Sequence, residues 1–436
     1  MDILINSGAE DIIKTLENAG LFAYITGNAV TEYLLDKPLS SIHISTSASP
    51  SQTASLFSDC ANINPKTKTV TVLKNLTGYE ISTFRSSPST FAKTPDVYDE
   101  LSLSSFTIDA IAYNKREGFL DFFGGVDDIN KKQIRCLKSP DELFSQSPSE
   151  MLRAVRLCTT LGFTLDSVCE KAIRKFSFFS KQIPYSVRLE EFNKILLSNT
   201  PSKGFFMLHE LGLLKHLIPE LDRCFYVKQK NKYHIYNVGT HIMHALDNTP
   251  PELLLRWAAL LHDIGKPNCK STDSLGIIHF YGHHRESMRI ADNILNDLHL
   301  DRNLISDILL LIEYHDVRIE STLAAIKRLL SKIGDAMFLK LLMLQEADTR
   351  AKNPLYLDEK LEKIQALHSL FRTVIEEGHP YKISDLAINT RDLMKLKYRA
   401  GRHINDTLKL LLEDVIINPS LNNYTYLLNK ARKLKK

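Results

Sequence analysis

The residues in this chain that most plainly could do chemistry are His262 and Asp263, side by side at the end of Leu253-Leu254-Leu255-Arg256-Trp257-Ala258-Ala259-Leu260-Leu261. The apolar residues of that run cover every side of a helix, so the helix belongs in a core. An imidazole and a carboxylate delivered into a core are costly unless hydrogen bonds or a metal ion satisfy them. The pair is therefore a candidate metal or catalytic site on physical grounds alone. Pro250 and Pro251 suit the first helical turn, and Gly265 with Pro267 predicts a left-handed cap and a stop.

The elements that must position this site come from a chain of 436 residues, longer than one core usually supports, so several domains are expected. Early on, residues 20–27, 41–46, 78–84 and 106–113 carry strand patterns, and 29–35 reads as a helix. Residues 86–95, rich in Ser, Thr and Pro, read as a loop. From about Pro140 onward the apolar spacing is helical to the end. The expected class is α+β: a small mixed sheet in front and an all-α body behind.

With 44% hydrophobic and 24% charged residues the composition is that of a globular protein, and a net charge of +4 is too mild to demonstrate a nucleic-acid partner. Neither a secretory leader pattern nor a run of about eighteen uncharged apolar residues is visible, which predicts a cytoplasmic protein without membrane contact. Cys60, Cys136, Cys158, Cys169, Cys224 and Cys269 are scattered without a Cys-x-x-Cys pair, so reduced thiols are expected.

Taken together, the motifs resemble the class II (bacterial-type) tRNA nucleotidyltransferases and poly(A) polymerases, the CCA-adding enzymes, in the version that carries an HD domain. The resemblance rests on Tyr24-Ile25-Thr26-Gly27-Asn28-Ala29-Val30, Phe106-Thr107-Ile108-Asp109-Ala110, Gly124-Gly125-Val126-Asp127-Asp128, Met151-Leu152-Arg153-Ala154-Val155-Arg156, Leu161-Gly162-Phe163 and the helices from 383 onward. It implies a nucleotidyltransferase-like head over 1–139, a helical neck and body over 140–224, an HD domain over 225–352 and an RNA-binding-like helical tail over 353–436.

Several polar positions depart from the family pattern while its apolar positions are kept. Where the resemblance implies two carboxylates two apart on one strand, sharing a face to hold a pair of Mg²⁺ ions, the chain has Ser41 and His43, leaving Glu80 as the matching third. The phosphate loop keeps Gly27 but has Asn28, Thr31 and Glu32 for glycine, arginine and aspartate. Leu103-Ser104-Ser105 replaces Arg-Arg-Asp, and Ser147 and Glu150 stand where an aspartate and an arginine would pair with the incoming base. On this reading the transferase centre is degenerate, the alternative being transfer rescued by shifted carboxylates among Glu32, Glu80 and Asp109.

The HD resemblance, by contrast, is complete: it implies His241, His262, Asp263 and Asp348 as metal ligands, with His283 and His315 added if the site holds two ions. His283 follows Gly282, as the family pattern asks, and is preferred to His284. Imidazole and carboxylate donors suit Mn, Fe, Co, Ni or Zn, with Mg possible. Lys266 is a candidate to steady phosphate charge, with Arg285 and Arg318 as further cations, while His234, His244 and His279 are taken as structural. The expected function is accordingly a metal-dependent HD phosphohydrolase or phosphodiesterase acting on a phosphate ester or nucleotide. The alternatives are an active tRNA nucleotidyltransferase and a non-catalytic protein that binds tRNA or other RNA through its C-terminal helices.

Overall fold

The computed structural model describes residues 7–39, 41–57, 61–64, 67, 69–74, 76–85, 96–229, 233–399 and 401–435. Cys60 and the loop expected over 86–95 lie outside the described residues. The chain divides into two compact units, one of Met1–Glu191 with Glu210–His216, the other of Phe192–His209 with Leu217–Lys436.

The first unit is built on a seven-stranded sheet. Its strands are β1 (Ala23–Thr26), β2 (His43–Thr46), β3 (Ala61–Asn64), β4 (Thr69–Lys74), β5 (Thr77–Thr83), β6 (Ile111–Asn114) and β7 (Gly118–Asp121), in the order β3-β4-β5-β2-β1-β6-β7. β2 and β5 run parallel and place His43 opposite Glu80, whereas the other pairs are antiparallel. β1 is buried along its whole length, Ala23 to Ile25 being apolar and the Thr26 hydroxyl being paired with that of Ser45 at 2.9 Å.

The strand expected over 106–113 begins only at Ile111. Phe106 forms an isolated bridge with Cys136, and Thr107–Asp109 is a turn of 3-10 helix. Thr107 is held there by its own hydroxyl, which donates to Asp128 at 2.6 Å, and Ala110 N–H closes the turn on the Thr107 carbonyl. Phe106 to Tyr113 are all buried, so the alternation of polar and apolar residue types here reflects that turn rather than a pleat. The helix Ser149–Leu161 follows, ending on Gly162 at φ 77, the left-handed conformation that glycine adopts without cost.

The second unit is helical. Its centre is Leu253–Leu261, buried from Leu254 to Leu261 and surrounded by Val238–Asp247, Arg302–Tyr314 and Asp335–Arg350. The polar groups that this helix takes inside are satisfied. Arg256 donates to the carbonyls of Pro250 and Leu196 at 3.0 and 3.2 Å, and Trp257 Nε1 donates to Asn193 at 2.9 Å. A smaller apolar core, including Leu393, Leu408, Leu411, Val415 and Leu427, gathers the helices near the C-terminus. Among the described residues no helix is long and apolar enough to cross a membrane. Cys136, Cys158, Cys169 and Cys224 are buried free thiols and Cys269 is half-buried.

Two expectations about the central helix are corrected. Pro250 and Pro251 precede the helix, whose N-cap is Glu252, instead of entering its first turn. Gly265 is not left-handed; its φ is −81. Glycine is needed there for room, because a Cβ would lie 2.5 Å from the amide nitrogen of Ser287 and 2.7 Å from the carbonyl of His283. Gly265 N–H also donates to the buried Ser287 hydroxyl at 2.9 Å, locking the residues after Asp263 onto the helix His283–Asp297. Gly265→Ala is therefore expected to destabilise the protein by about 2 kcal/mol through forced separation of these backbones, read as a lowered urea midpoint.

Candidate metal centre

Each of the six residues expected as ligands sits at a helix end or on an inward helix face, and the fold brings all six together. His241 lies in Val238–Asp247, which starts from the Asn237 side chain accepting Thr240 N–H at 2.7 Å. His262 caps Leu253–Leu261, His283 opens His283–Asp297, His315 caps Arg302–Tyr314, and Asp348 is near the end of Asp335–Arg350. All six are buried.

The four histidines are oriented by one device. The Nδ1 of His262 lies 2.7 Å from the Ala259 carbonyl, that of His315 2.7 Å from Ile312, that of His283 2.9 Å from Phe280 and that of His241 3.2 Å from Ala351. A carbonyl can only accept, so Nδ1 carries the proton and donates, and Nε2 is the nitrogen turned inward. Three of these carbonyls belong to the residue three positions earlier, so the turn that places the histidine also fixes its ring.

The inward atoms form two adjoining sets, His241, His262 and Asp348 in one and Asp263, His283 and His315 in the other. Asp263 joins them. Its Oδ2 is 3.4 Å from His241 Nε2 and 3.2 Å from His262 Nε2, while its Oδ1 is 3.3 Å from His283 Nε2 and 3.7 Å from His315 Nε2. Asp348 Oδ1 lies 2.9 Å from His241 Nε2 and 3.7 Å from His262 Nε2. His241 Nε2, His262 Nε2 and Asp263 Oδ1 are nevertheless buried without a hydrogen bond. Close, convergent and unsatisfied donors of this kind fit divalent cations, which take imidazole nitrogen and carboxylate oxygen together.

The electrostatics agree. Burial opposes charge on His262, yet Asp263 and Asp348 outweigh it and hold its pKa up at about 10. Positive charge is thus favoured at Nε2, whether carried by a proton or by a metal. Burial also opposes ionisation of Asp263 and Asp348, but Lys266 and His262 for the first, and Lys352 for the second, keep both carboxyls well below the usual carboxylate range. His315 is pushed down by burial.

Lys266 is buried with its ammonium 2.6 Å from Asp263 and 2.9 Å from Gln229 Oε1, so its direct role here is counter-charge to Asp263. Arg285 and Arg318 are exposed. The sequence reading missed Lys352, which pairs with Asp348, as well as Gln229. The spacing of Lys352 four residues after Asp348, just past the end of its helix, was a usable signal; nothing local marked Gln229. His234 lies with its ring 5.0 Å from that of His241 and is driven down to about 2 by burial, so it stays neutral.

The positions noted in the first unit are arranged differently. Gly27, at φ 74, starts the helix Asn28–Leu34, and Asn28 is exposed. Thr31 is buried and donates to the Ile108 carbonyl at 2.7 Å. Ser41 is exposed just before β2. His43 Nε2 is 2.8 Å from the Ser82 hydroxyl and its Nδ1 is 3.9 Å from Glu80, with burial lowering the ring's pKa. Asp109 is committed to Arg153 at 2.7 Å, and Arg153 also meets Glu150 at 3.2 Å. Ser105 is half-buried and Ser147 exposed. One exposed carboxylate beside an imidazole and a hydroxyl does not fit a pair of Mg²⁺ ions.

Three family models match the chain in order. They are described as "Poly A polymerase head domain" over residues 23–135, "Probable RNA and SrmB- binding site of polymerase A" over 162–225 and "HD domain" over 232–353. The RNA-binding match thus falls on the segment read from sequence as neck and body. A CCA-adding enzyme of Bacillus cytotoxicus is 32% identical over 47% of this chain and 54% of its own length. One from Bacillus velezensis is 27% identical over 93% of this chain and 92% of its own. In the first two relatives the matched stretch spans only about half of their length, 54% and 55%. Among solved structures, the Bacillus stearothermophilus CCA-adding enzyme in complex with CTP covers 100% of this chain and 99% of its own, with a TM-score of 0.75 at 22% identity. The Thermotoga maritima CCA-adding enzyme complexed with tRNA covers 98% and 94%, with a TM-score of 0.58 at 18% identity; these two likenesses speak for the fold.

These findings correct the functional expectation. A relative matched along 93% of this chain is named a CCA-adding enzyme, so phosphoester hydrolysis at the HD centre is replaced by the nucleotidyltransferase alternative as the principal reading. The centre itself generates a measurable expectation. After loading with Mn²⁺ and desalting, the protein is expected to retain two ions per chain by mass spectrometry, His283→Ala or His315→Ala to retain one, and Asp263→Ala neither. Full occupancy in all three variants would remove these residues as ligands.

Proposed function

We propose, from the premise that this chain belongs to the family of CCA-adding tRNA nucleotidyltransferases and poly(A) polymerases that carry an HD domain, that it adds nucleotides to the 3′ end of tRNA. The observation that carries this reading is the continuous order of head, RNA-binding segment and HD domain, together with a CCA-adding relative aligned over 93% of the chain. Beyond the fold, what supports it at the site is Glu80, an exposed carboxylate on β5 directly opposite His43.

A second reading is favoured by one specific observation, the hydroxyl and imidazole of Ser41 and His43. It is that the protein engages tRNA without extending it. In both readings the HD centre is a divalent-metal site held by His241, His262 and Asp348 on one side and His283 and His315 on the other, with Asp263 between them. Its four imidazoles favour Mn, Fe, Co, Ni or Zn over Mg. When bound, such an ion supplies Lewis acidity and lowers the pKa of water it holds. The chain's own groups orient the donors: backbone carbonyls set the rings, and Lys266 and Lys352 balance the two carboxylates.

The two readings part on one assay. A tRNA lacking its 3′ CCA, incubated with the protein, labelled CTP, ATP and Mg²⁺ or Mn²⁺, is expected to gain nucleotides, with Glu80→Gln lowering the rate at least tenfold. Replacing Ser41 and His43 by aspartate together is expected to raise it at least tenfold, because it adds two carboxylates near Glu80, one of them on β2 directly opposite it. Retained tRNA binding with no extension under either metal would eliminate transfer and leave the second reading.

A further inference from the structure

A cavity of about 590 Å³ lies in the second unit, lined by none of the six candidate ligands and joined to them through Gln229 and Lys266. Its frame is a β-bridge between Lys228 and Asn237, reinforced by Val238 N–H donating to the Val227 carbonyl at 2.9 Å. Three of the seven lining residues are aromatic. Tyr226 is 73% exposed, Phe225 is backed on one face by His209 at 4.1 Å, and Tyr236 is backed by His244 at 4.3 Å. Phe225 and Tyr236, supported from behind, present a rigid surface, and Tyr226 stands beside them with its ring 5.5 Å edge-on from that of His209.

Two polar groups give the cavity direction. Gln229 lines it and is only 5% exposed, and its amide Nε2 has no hydrogen-bond partner. A buried N–H₂ left unpaired is costly, and a ligand acceptor would remove that cost. The other end of the same amide is committed, because Oε1 accepts from Lys266 Nζ, which contacts Asp263. That bond fixes which way the amide points. Lys228 stands exposed among the lining residues and supplies a cation. Asn237 is already used, its Oδ1 accepting Thr240 N–H.

A ligand that matches these features is planar, carries an acceptor on its edge and is anionic at one end. We propose that this cavity is a nucleotide-binding site, taking a nucleobase on Tyr226 with an edge acceptor on Gln229 Nε2 and a phosphate near Lys228. The volume lies within the range of small-ligand pockets. Base stacking on aromatic side chains tolerates any base, so the site reads the presence of a base more than its identity. This assignment depends neither on nucleotide transfer in the head nor on metal occupancy, although Gln229 and Lys266 tie it structurally to Asp263.

Titration calorimetry on the full-length protein, with chelator present, tests it using CMP, ribose 5-phosphate and inorganic phosphate as probes. CMP is expected to bind at least tenfold more tightly than ribose 5-phosphate. Tyr226→Ala and Gln229→Leu are each expected to weaken CMP about tenfold while leaving ribose 5-phosphate unchanged. Equal affinity for CMP and ribose 5-phosphate overturns the base site. CMP affinity unaltered in both variants places the nucleotide elsewhere, the head included, and also overturns it. Weakening in Gln229→Leu alone does the same, since it reports a disturbed Lys266; Tyr226, being exposed, tests the ligand contact without disturbing the core.

Discussion

The second unit depends on the carboxylate of Asp263, a negative charge placed at the bottom of a core. Alone it would not be tolerated there, since an unpaired buried charge costs several kcal/mol even after relaxation. Its surroundings answer that cost with Lys266 at 2.6 Å and with ring nitrogens of His241, His262 and His283 within 3.4 Å. Because its two oxygens face different histidine sets, Asp263 imposes a geometric condition on four helices simultaneously. Val238–Asp247, Leu253–Leu261, His283–Asp297 and Arg302–Tyr314 must each end or turn where their histidine reaches it.

Meeting that condition takes little dedicated sequence. A histidine at a helix end donates Nδ1–H to a carbonyl three residues earlier, and this occurs at His262, His283 and His315. At His262 and His315 the same turn gives a partner to a carbonyl of the helix's last turn, and at all three it fixes the tautomer and aims Nε2 inward. Gly265 completes the arrangement by letting the chain after Asp263 press against Ser287. Substitutions there would act on the candidate metal centre through backbone position and not through loss of any of its six donor residues.

Much of this was legible in the sequence, for definite physical reasons. A histidine-aspartate pair after nine residues of helix, eight of them apolar, announces its own energetic problem, and the resemblance supplied the remaining four candidate ligands. The sheet strands at 23–26, 43–46 and 77–83 were readable because buried or alternating residues are local signals. What was not readable depends on distant partners. Gln229 matters because Lys266, thirty-seven residues away, reaches it. Thr107 mimics a strand residue because Asp128, twenty-one positions on, captures its hydroxyl and bends the chain. Gly265 looked like a left-handed cap because spacing alone does not distinguish a glycine kept for its φ from one kept for room. The principal activity was misjudged for a related reason: the Ser41 and His43 positions carried the argument locally, whereas the relationship is carried by the whole chain.

The two units handle polarity in opposite ways, and this bears on how each site can work. In the first, polar groups near the phosphate loop are satisfied internally: Thr31 by Ile108, Asp109 by Arg153, and His43 by Ser82. Arg153 is further engaged over the ring of Phe106 at 5.5 Å. Such groups are already paired, so a ligand gains little by meeting them. Glu80 differs, being exposed on a strand whose neighbour holds a neutral ring. In the second unit, His241 Nε2, His262 Nε2, Asp263 Oδ1 and Gln229 Nε2 are all buried and left without hydrogen bonds. The fold has therefore prepaid the positioning of those atoms but not their satisfaction, and binding at that end of the molecule can draw on the difference.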